Sequence, residues 1–265
     1  VLHDVHAHLT DPRLLPIVDD VVARAVAAGV GTIVSNGLNP VDNARVLELA
    51  RRFPQVKAAL GLYPVDAVLL ELRAAGVPYE HRTDEVVPAE QAVAWLAEHV
   101  HEAFAVGEIG LDHHWVPPAL HARQEDVFRS LLRLAKDARK AVIVHSREAE
   151  ARTLEVLREE GVTAVDWHCF GGRSRLALEI ARQPGHYLSI PANARRSNAF
   201  RKLLAELPRD RVLLETDCPY LGPERDVTNE PGNVAITLRL ASELWGLPEE
   251  RVVDQLADNF AALFG

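Results

Sequence analysis

A (β/α)8 barrel is the fold class this sequence predicts, and three observations predict it. Eight short segments rich in Val, Ile and Leu recur along the chain, several nearly continuous in the way of strands buried on both faces. Segments with apolar residues at three- and four-residue spacing alternate with them, as amphipathic helices do. The side chains best suited to divalent cations, His6, His8, Glu108, His145, His168 and Asp217, each end one of those apolar runs. A closed ring of parallel strands gathers all its strand ends at one mouth. An open doubly wound sheet is the alternative, but no GxGxxG turn follows an early strand to support it.

Taken in order, strand 2–8 ends in a His-x-His pair, and helix 16–28 follows with Gly29 as its C-terminal stop. Strands 30–35 and 56–61 come next. The stretch 62–90, with Pro64, Pro78, Pro88 and several charges, is the one expected excursion. Strand 104–108 leads to a long helix over 119–138, strand 141–145 to helix 147–160, and strand 163–168 to helix 174–182. Strands 186–190 and 211–216 complete the set. Helices 232–246 and 248–263 close the chain, the last opened by Pro248 in its first turn. No linker, low-complexity segment or fixed-period repeat intervenes. A length of 265 residues matches the roughly 250 a barrel needs, so one domain spanning 1–265 is expected.

Composition narrows the function classes. With 48% hydrophobic and 25% charged residues the chain has the balance of a globular protein with a sizeable core. No apolar run approaches the roughly 18 residues of a membrane span, and the first residues lack the basic and apolar segments of a secretory signal. Cys169 and Cys218, the only cysteines, form no disulfide framework, so a cytoplasmic location is expected. A net charge of −9 disfavours coating nucleic acid by bulk attraction. Between residues 169 and 202, however, seven Lys and Arg residues face the single acid Glu179. That segment reads either as solvated helix faces or as an anion-attracting rim for a phosphate-bearing substrate.

Each candidate ligand has an ordinary reading. His6 and His8, two apart on a strand, point to one face and can reach one ion, yet twelve histidines make some close pairs by chance. Asp4 shares their face and is expected to orient an imidazole. The ordinary reading of Glu108 is an acid satisfied by an arginine, and that of His145 or His168 a core histidine bonded to backbone. Asp217 and Glu215 would share a face if their strand continued. One shared cluster explains all the positions together, whereas the ordinary readings need a separate account for each. Histidine and carboxylate ligands suit zinc, manganese, iron or magnesium. Cys169 and Cys218 directly follow proposed ligands, so on strands they should point away and pack as small apolar residues.

The chain resembles the TatD-type metal-dependent deoxyribonucleases, a branch of the amidohydrolase superfamily. The matching stretches are DVHAHL at 4–9, GEIGLDHH at 107–114, VIVHSR at 142–147, HCFGG at 168–172, LLETDCPYL at 213–221, NEP at 229–231 and NFAALFG at 259–265. They follow family order over essentially the whole chain. The resemblance implies a TIM barrel with a two- or three-metal centre (Mg, Mn or Zn) and places His6, His8, Glu108, His145, His168 and Asp217 on its ligand positions. It departs at GLYP, where Tyr63 stands in place of a family histidine thought to touch substrate. It departs again at ERDVTNEP, where the family's Arg-Gly pair is missing.

The resemblance implies phosphodiester hydrolysis, with DNA as the expected substrate and a single-stranded 3′ end as the expected point of attack. Asp217 would act as general base and Glu108 would bridge two ions. Arg147, Arg173 and Arg195 are candidate phosphate contacts or ordinary helix-start salt bridges, and His113 and Tyr63 are candidate substrate contacts. Trp115 and Tyr220 are candidates for stacking on bases. No membrane and no obligate protein partner is indicated. Two alternatives remain: a hydrolase of C–N or carboxylic ester bonds on the same scaffold, and a non-catalytic metal-binding protein.

Overall fold

Eight parallel strands hydrogen-bond in chain order, β1-β2-β3-β4-β5-β6-β7-β8, in a computed structural model that describes residues 1–79 and 86–265. The elements are β1 (Leu2–Ala7), α1 (Val18–Ala27), β2 (Val30–Asn36), α2 (Pro40–Arg52), β3 (Val56–Leu60), α3 (Leu69–Ala74), α4 (Ala89–His99) and β4 (Ala105–Asp112). They continue as α5 (His121–Asp137), β5 (Val142–Arg147), α6 (Glu150–Glu160), β6 (Val165–Trp167), α7 (Ser174–Ala181), β7 (His186–Ile190), α8 (Asn198–Glu206), β8 (Val212–Leu214), α9 (Val234–Trp245) and α10 (Glu249–Phe264). The expected barrel is therefore present. Part of the expected excursion at 62–90, residues 80–85, lies outside the described residues.

Local sequence explains most boundaries. α1 stops because Gly29 takes φ +87, which a residue with a Cβ rarely adopts. α2 starts at Asn39, whose side chain accepts from the Asp42 backbone N–H, with Pro40 in the first turn. α6 and α9 end on left-handed Gly161 and Gly246. Pro248 caps α10 rather than occupying its first turn. All of β4 is buried, and most of β5 with it, as strands covered by helices outside and packed side chains inside must be.

The ring closes without a strand pair between β1 and β8. The chain just beyond β8 docks on β1 instead: Asp217 N–H donates to His6 O at 2.9 Å and His8 N–H to Cys218 O at 2.8 Å. Asp4 locks this seam. Its buried carboxylate accepts from Thr216 N–H at 2.8 Å, from Thr216 Oγ1–H at 2.6 Å and from His6 N–H at 3.3 Å. Asp4 thus holds backbone, not an imidazole as its position suggested. Asp4→Ala would leave the two Thr216 donors buried without acceptors, at about 1–3 kcal/mol each. A loss of about 2–4 kcal/mol in urea unfolding with an unchanged slope is expected. A change below about 1 kcal/mol would show that other bonds hold the seam.

The strand starts form the opposite end. There Phe104, Phe260 and Phe264 pack on Val34, Ala59, Ala105 and Ile143, and Leu263 joins Val5, Tyr187 and Leu213. The last turns of α10 therefore lie across the foot of the barrel. The polar cluster sits at the other end.

Candidate metal centre

The six candidate ligands reach one place by different local routes. His6 lies in β1 and His8 just beyond it, Glu108 and His145 lie in β4 and β5, and His168 follows the last residue of β6. β6 and β8 end earlier than expected, at Trp167 and Leu214. Asp217 is consequently in a turn with φ +52, and Cys169 has φ +44. Alternation along a strand no longer applies past those ends. Cys169 lines the mouth cleft instead of pointing away, while Cys218 is fully buried in the core as expected.

Two sets of donor atoms meet at Glu108. On one side His6 Nε2 and His8 Nε2 are 3.2 Å apart. Each lies 3.5 Å from Glu108 Oε2, and they are 3.8 and 3.4 Å from Asp217 Oδ1. Four donors held at about 2.0–2.2 Å around a tetrahedral ion sit about 3.4 Å from one another. The observed spacing fits such an ion. Two buried imidazole nitrogens this close also want a cation between their lone pairs. On the other side Glu108 Oε1 is 2.9 Å from His145 Nδ1. Glu108, His145 and His168 each offer an atom within a sphere of mutual distances no larger than 4.8 Å, as do His6, His8 and Glu108.

An outer set of contacts orients these rings. His8 Nδ1 is 3.1 Å from Asn36 O, His145 Nε2 is 2.9 Å from Asp112 Oδ2, and His168 Nδ1 is 2.8 Å from Glu215 Oε2. Imidazoles that bind metals are commonly fixed by a carboxylate or carbonyl in this way. Ser189 Oγ–H donates to Glu215 Oε2 at 2.7 Å and lies 3.2 Å from Asp166 Oδ2. Burial and the neighbouring Glu215 push Asp166 well above the usual carboxylate range.

The charge balance follows from burial and partners. Burial would raise Glu108, but its bonds to His145 and His6 hold it well below the ordinary value. Burial likewise opposes Asp217, and its bond to His8 with the nearby His168 charge keeps it lowered and ionised. Burial and the charge of His168 push His6 down to about 4. Burial works against the charged form of His168, yet Glu215 lifts it to about 10. Burial also disfavours charge on His145, and Asp112 and Glu108 raise it nonetheless.

A cleft of about 390 Å³ opens above these groups, and its wall includes His8, Glu108, His145, His168 and Asp217. Of the expected substrate contacts, Arg147 and Tyr63 line it; the Tyr63 ring meets His145 edge-on with centroids 5.2 Å apart. His113 does not line it but stacks on His121 at 3.5 Å. Arg173 stands at the exposed start of α7, and Arg195 pairs with Glu243 at 2.5 Å, both off the cleft wall. Trp115, 45% exposed, stands beside Arg147, whose guanidinium carbon is 5.7 Å from the ring centre. Tyr220 also lines the cleft, with Arg13 over its ring at 4.3 Å.

Sequence reading missed Asp112, Ser189 and Asn36. Asp112 had a signal, four residues beyond Glu108 in GEIGLD on a strand longer than expected. Ser189 and Asn36 had none, because a buried Ser or Asn in an apolar run reads as packing.

A family model described as TatD related DNase matches residues 3–265. A metal-dependent hydrolase of Bacillus subtilis, YabD, is 32% identical over 272 residues, covering 100% of this chain and 99% of the relative. The human protein named deoxyribonuclease TATDN3 is 32% identical over 267 residues, 99% of this chain and 94% of the relative. Among solved structures, YJJV, a TatD homologue from Escherichia coli, superposes with a TM-score of 0.85 at 26% identity, over 99% of this chain and 97% of that one.

Proposed function

The chain belongs to the TatD-related DNase family, and from that premise we propose that it is a metal-dependent phosphodiesterase. In this reading it cleaves DNA, at single-stranded 3′ ends, as one barrel domain spanning 1–265. The single observation that carries the reading is the convergence of His6, His8, Glu108, His145, His168 and Asp217 below a cleft rimmed by Arg147.

Two divalent ions, Mg, Mn or Zn, when bound supply Lewis acidity toward phosphoryl oxygens and bring water's pKa toward neutrality. His6, His8, Glu108 Oε2 and Asp217 form the set that would hold one. Glu108 Oε1, His145 and His168 form the set for the other. Asn36, Asp112 and Glu215 fix the rings so that one nitrogen of each histidine faces the cleft. Asp217, ionised and at the cleft wall, accepts the proton of the attacking water. Arg147 meets a non-bridging phosphate oxygen, and Tyr63 presents a phenol to the same cleft. The exposed Trp115 offers a surface on which an unpaired base can stack, which double-stranded substrate cannot use.

No helix among the described residues is long and apolar enough to cross a membrane. Two free thiols suit a reducing compartment, and we place the protein in the cytoplasm.

A panel of end-labelled single-stranded DNA, duplex DNA, bis-nitrophenyl phosphate and simple amides tests the reading. Phosphodiesters should be cleaved, amides left intact, and activity abolished by EDTA and restored by an added divalent ion. Turnover by metal-free protein, or preference for amides, would overturn it. Loading also carries a proton signature. His168 is protonated up to about 10 and His145 is raised without metal, and both must release protons to ligate. Metal affinity should therefore rise as pH increases through neutrality. Titration calorimetry in buffers of different ionisation enthalpy should record proton release; none would mean that these histidines stay outside the metal shell.

A further inference from the structure

A second and larger cleft, about 810 Å³, lies at the foot of the barrel, across the strand starts. Its apolar floor includes Phe104, Ala141, Ala164 and Phe264, and the Phe104 and Phe264 rings stack at 5.1 Å. Arg51, Lys57, Lys136, Arg139 and Lys140 stand around it with one acidic side chain, Glu102, and with Gly265, the last residue of the sequence. Glu102 is taken by Arg51 at 2.6 Å, and Lys136 Nζ donates to Glu160 O at 2.9 Å. Among the described residues Lys57, Arg139 and Lys140 form no ion pair.

Three cations without an ion pair among the described residues, gathered in one recess, are unexpected on a chain of net charge −9. The C-terminal end of α5 attracts cations by about 0.3–1 kcal/mol and so accounts for Arg139. It does not account for Lys57, which belongs to β3 on the other side of the recess. The combination of a cationic rim with an aromatic floor matches a ligand having a phosphate at one end and a flat apolar body at the other. A long polyanion would meet the repulsion of the acidic body beyond the recess, so a compact ligand is favoured. We propose that this cleft is a second binding site, distinct from the metal centre, for a nucleoside monophosphate, with phosphate on Lys57, Arg139 and Lys140 and the base against Phe104 and Phe264.

The test is photolabelling of the metal-loaded chain with 8-azido-2′-deoxyadenosine 5′-monophosphate, mapped by peptide mass. Adducts are expected on peptides carrying Phe104 or Phe264, in addition to any at the mouth. Lys57→Glu with Lys140→Glu should weaken the foot-site adduct by at least about tenfold in half-saturating ligand, about 1.4 kcal/mol, and leave hydrolysis and mouth labelling unchanged. If the double charge reversal fails to fold, Lys57→Gln with Lys140→Gln should give a smaller loss in the same direction. Labelling confined to the mouth, or a foot-site adduct that survives both variants, would overturn the proposal. So would inorganic phosphate or a long oligonucleotide competing better than the mononucleotide.

Discussion

Asp217→Asn is expected to lower kcat by about 10²–10⁴-fold while the fold and most bound metal remain. The substitution removes the proton acceptor and one negative charge, and it keeps an amide oxygen able to take the ligand position of Asp217 Oδ1. Asp217 sits at φ +52, a conformation that asparagine tolerates better than most residues. Its backbone N–H still reaches His6 O at 2.9 Å, so the seam between β1 and the β8 tail is undisturbed. The side-chain carbonyl still faces the His6 and His8 nitrogens, where Asp217 Oδ1 now lies at 3.8 and 3.4 Å. The amide cannot take a proton from water at any working pH. Paired measurements decide the matter: single-turnover hydrolysis of a 3′-labelled strand, and metal content of the same preparation. Slow hydrolysis with full metal identifies the base. Slow hydrolysis with lost metal would make Asp217 chiefly a ligand, and near-normal turnover would place the base elsewhere.

How far the sequence alone led to this site depended on what each residue's neighbourhood encodes. His6, His8, Glu108 and His145 were legible because each lies on or just beyond a strand whose apolar run is long, and the strand carries the side chain to the mouth. Asp217 was legible as a residue but not as a geometry. Its turn arises because the chain leaves β8 at Leu214 to pair with β1, a contact more than two hundred residues away in sequence. The same early ending of β6 brings Cys169 into the cleft, against the alternation expected for a strand. α2 and α8 were not assigned as helices, though their caps, Asn39 and Ser197, accept from backbone N–H groups as helix starts require. Charge counting along 169–202 left two readings open, rim cations or ordinary helix-start contacts, and the local contacts of Arg173, at an exposed helix start, and Arg195, paired with Glu243, are of the ordinary kind.

Glu108→Gln is expected to be the more damaging change, because among the described residues Glu108 alone has two oxygens that face both donor sets. Oε2 lies 3.5 Å from His6 and His8, and Oε1 lies 2.9 Å from His145. Gln keeps the volume, so packing gives no reason for failure. It replaces one oxygen with an amide nitrogen that cannot ligate, and it removes a charge that balances the cations on both sides. Loss of one member of a buried charge pair costs about 3–5 kcal/mol, which corresponds to between two and four orders of magnitude in affinity. Metal content at micromolar free ion should therefore fall for both positions, not one, and hydrolysis should fall at least as far as in Asp217→Asn. Added metal should rescue Glu108→Gln partly and Asp217→Asn not at all, since only the former is limited by occupancy. The position of Gly61 makes the substitution the cleaner probe of this strand. A Cβ there would approach the Glu108 backbone to 2.4 Å, so Gly61→Ala would move the strand itself, whereas Gln alters only the ligand. If Glu108→Gln lost a single ion and kept the other at wild-type affinity, the two sets would not share this carboxylate. The pairing of His145 with Glu108 would then be no more than an orienting contact, and a one-ion centre built on His6, His8 and Asp217 would be the arrangement left standing.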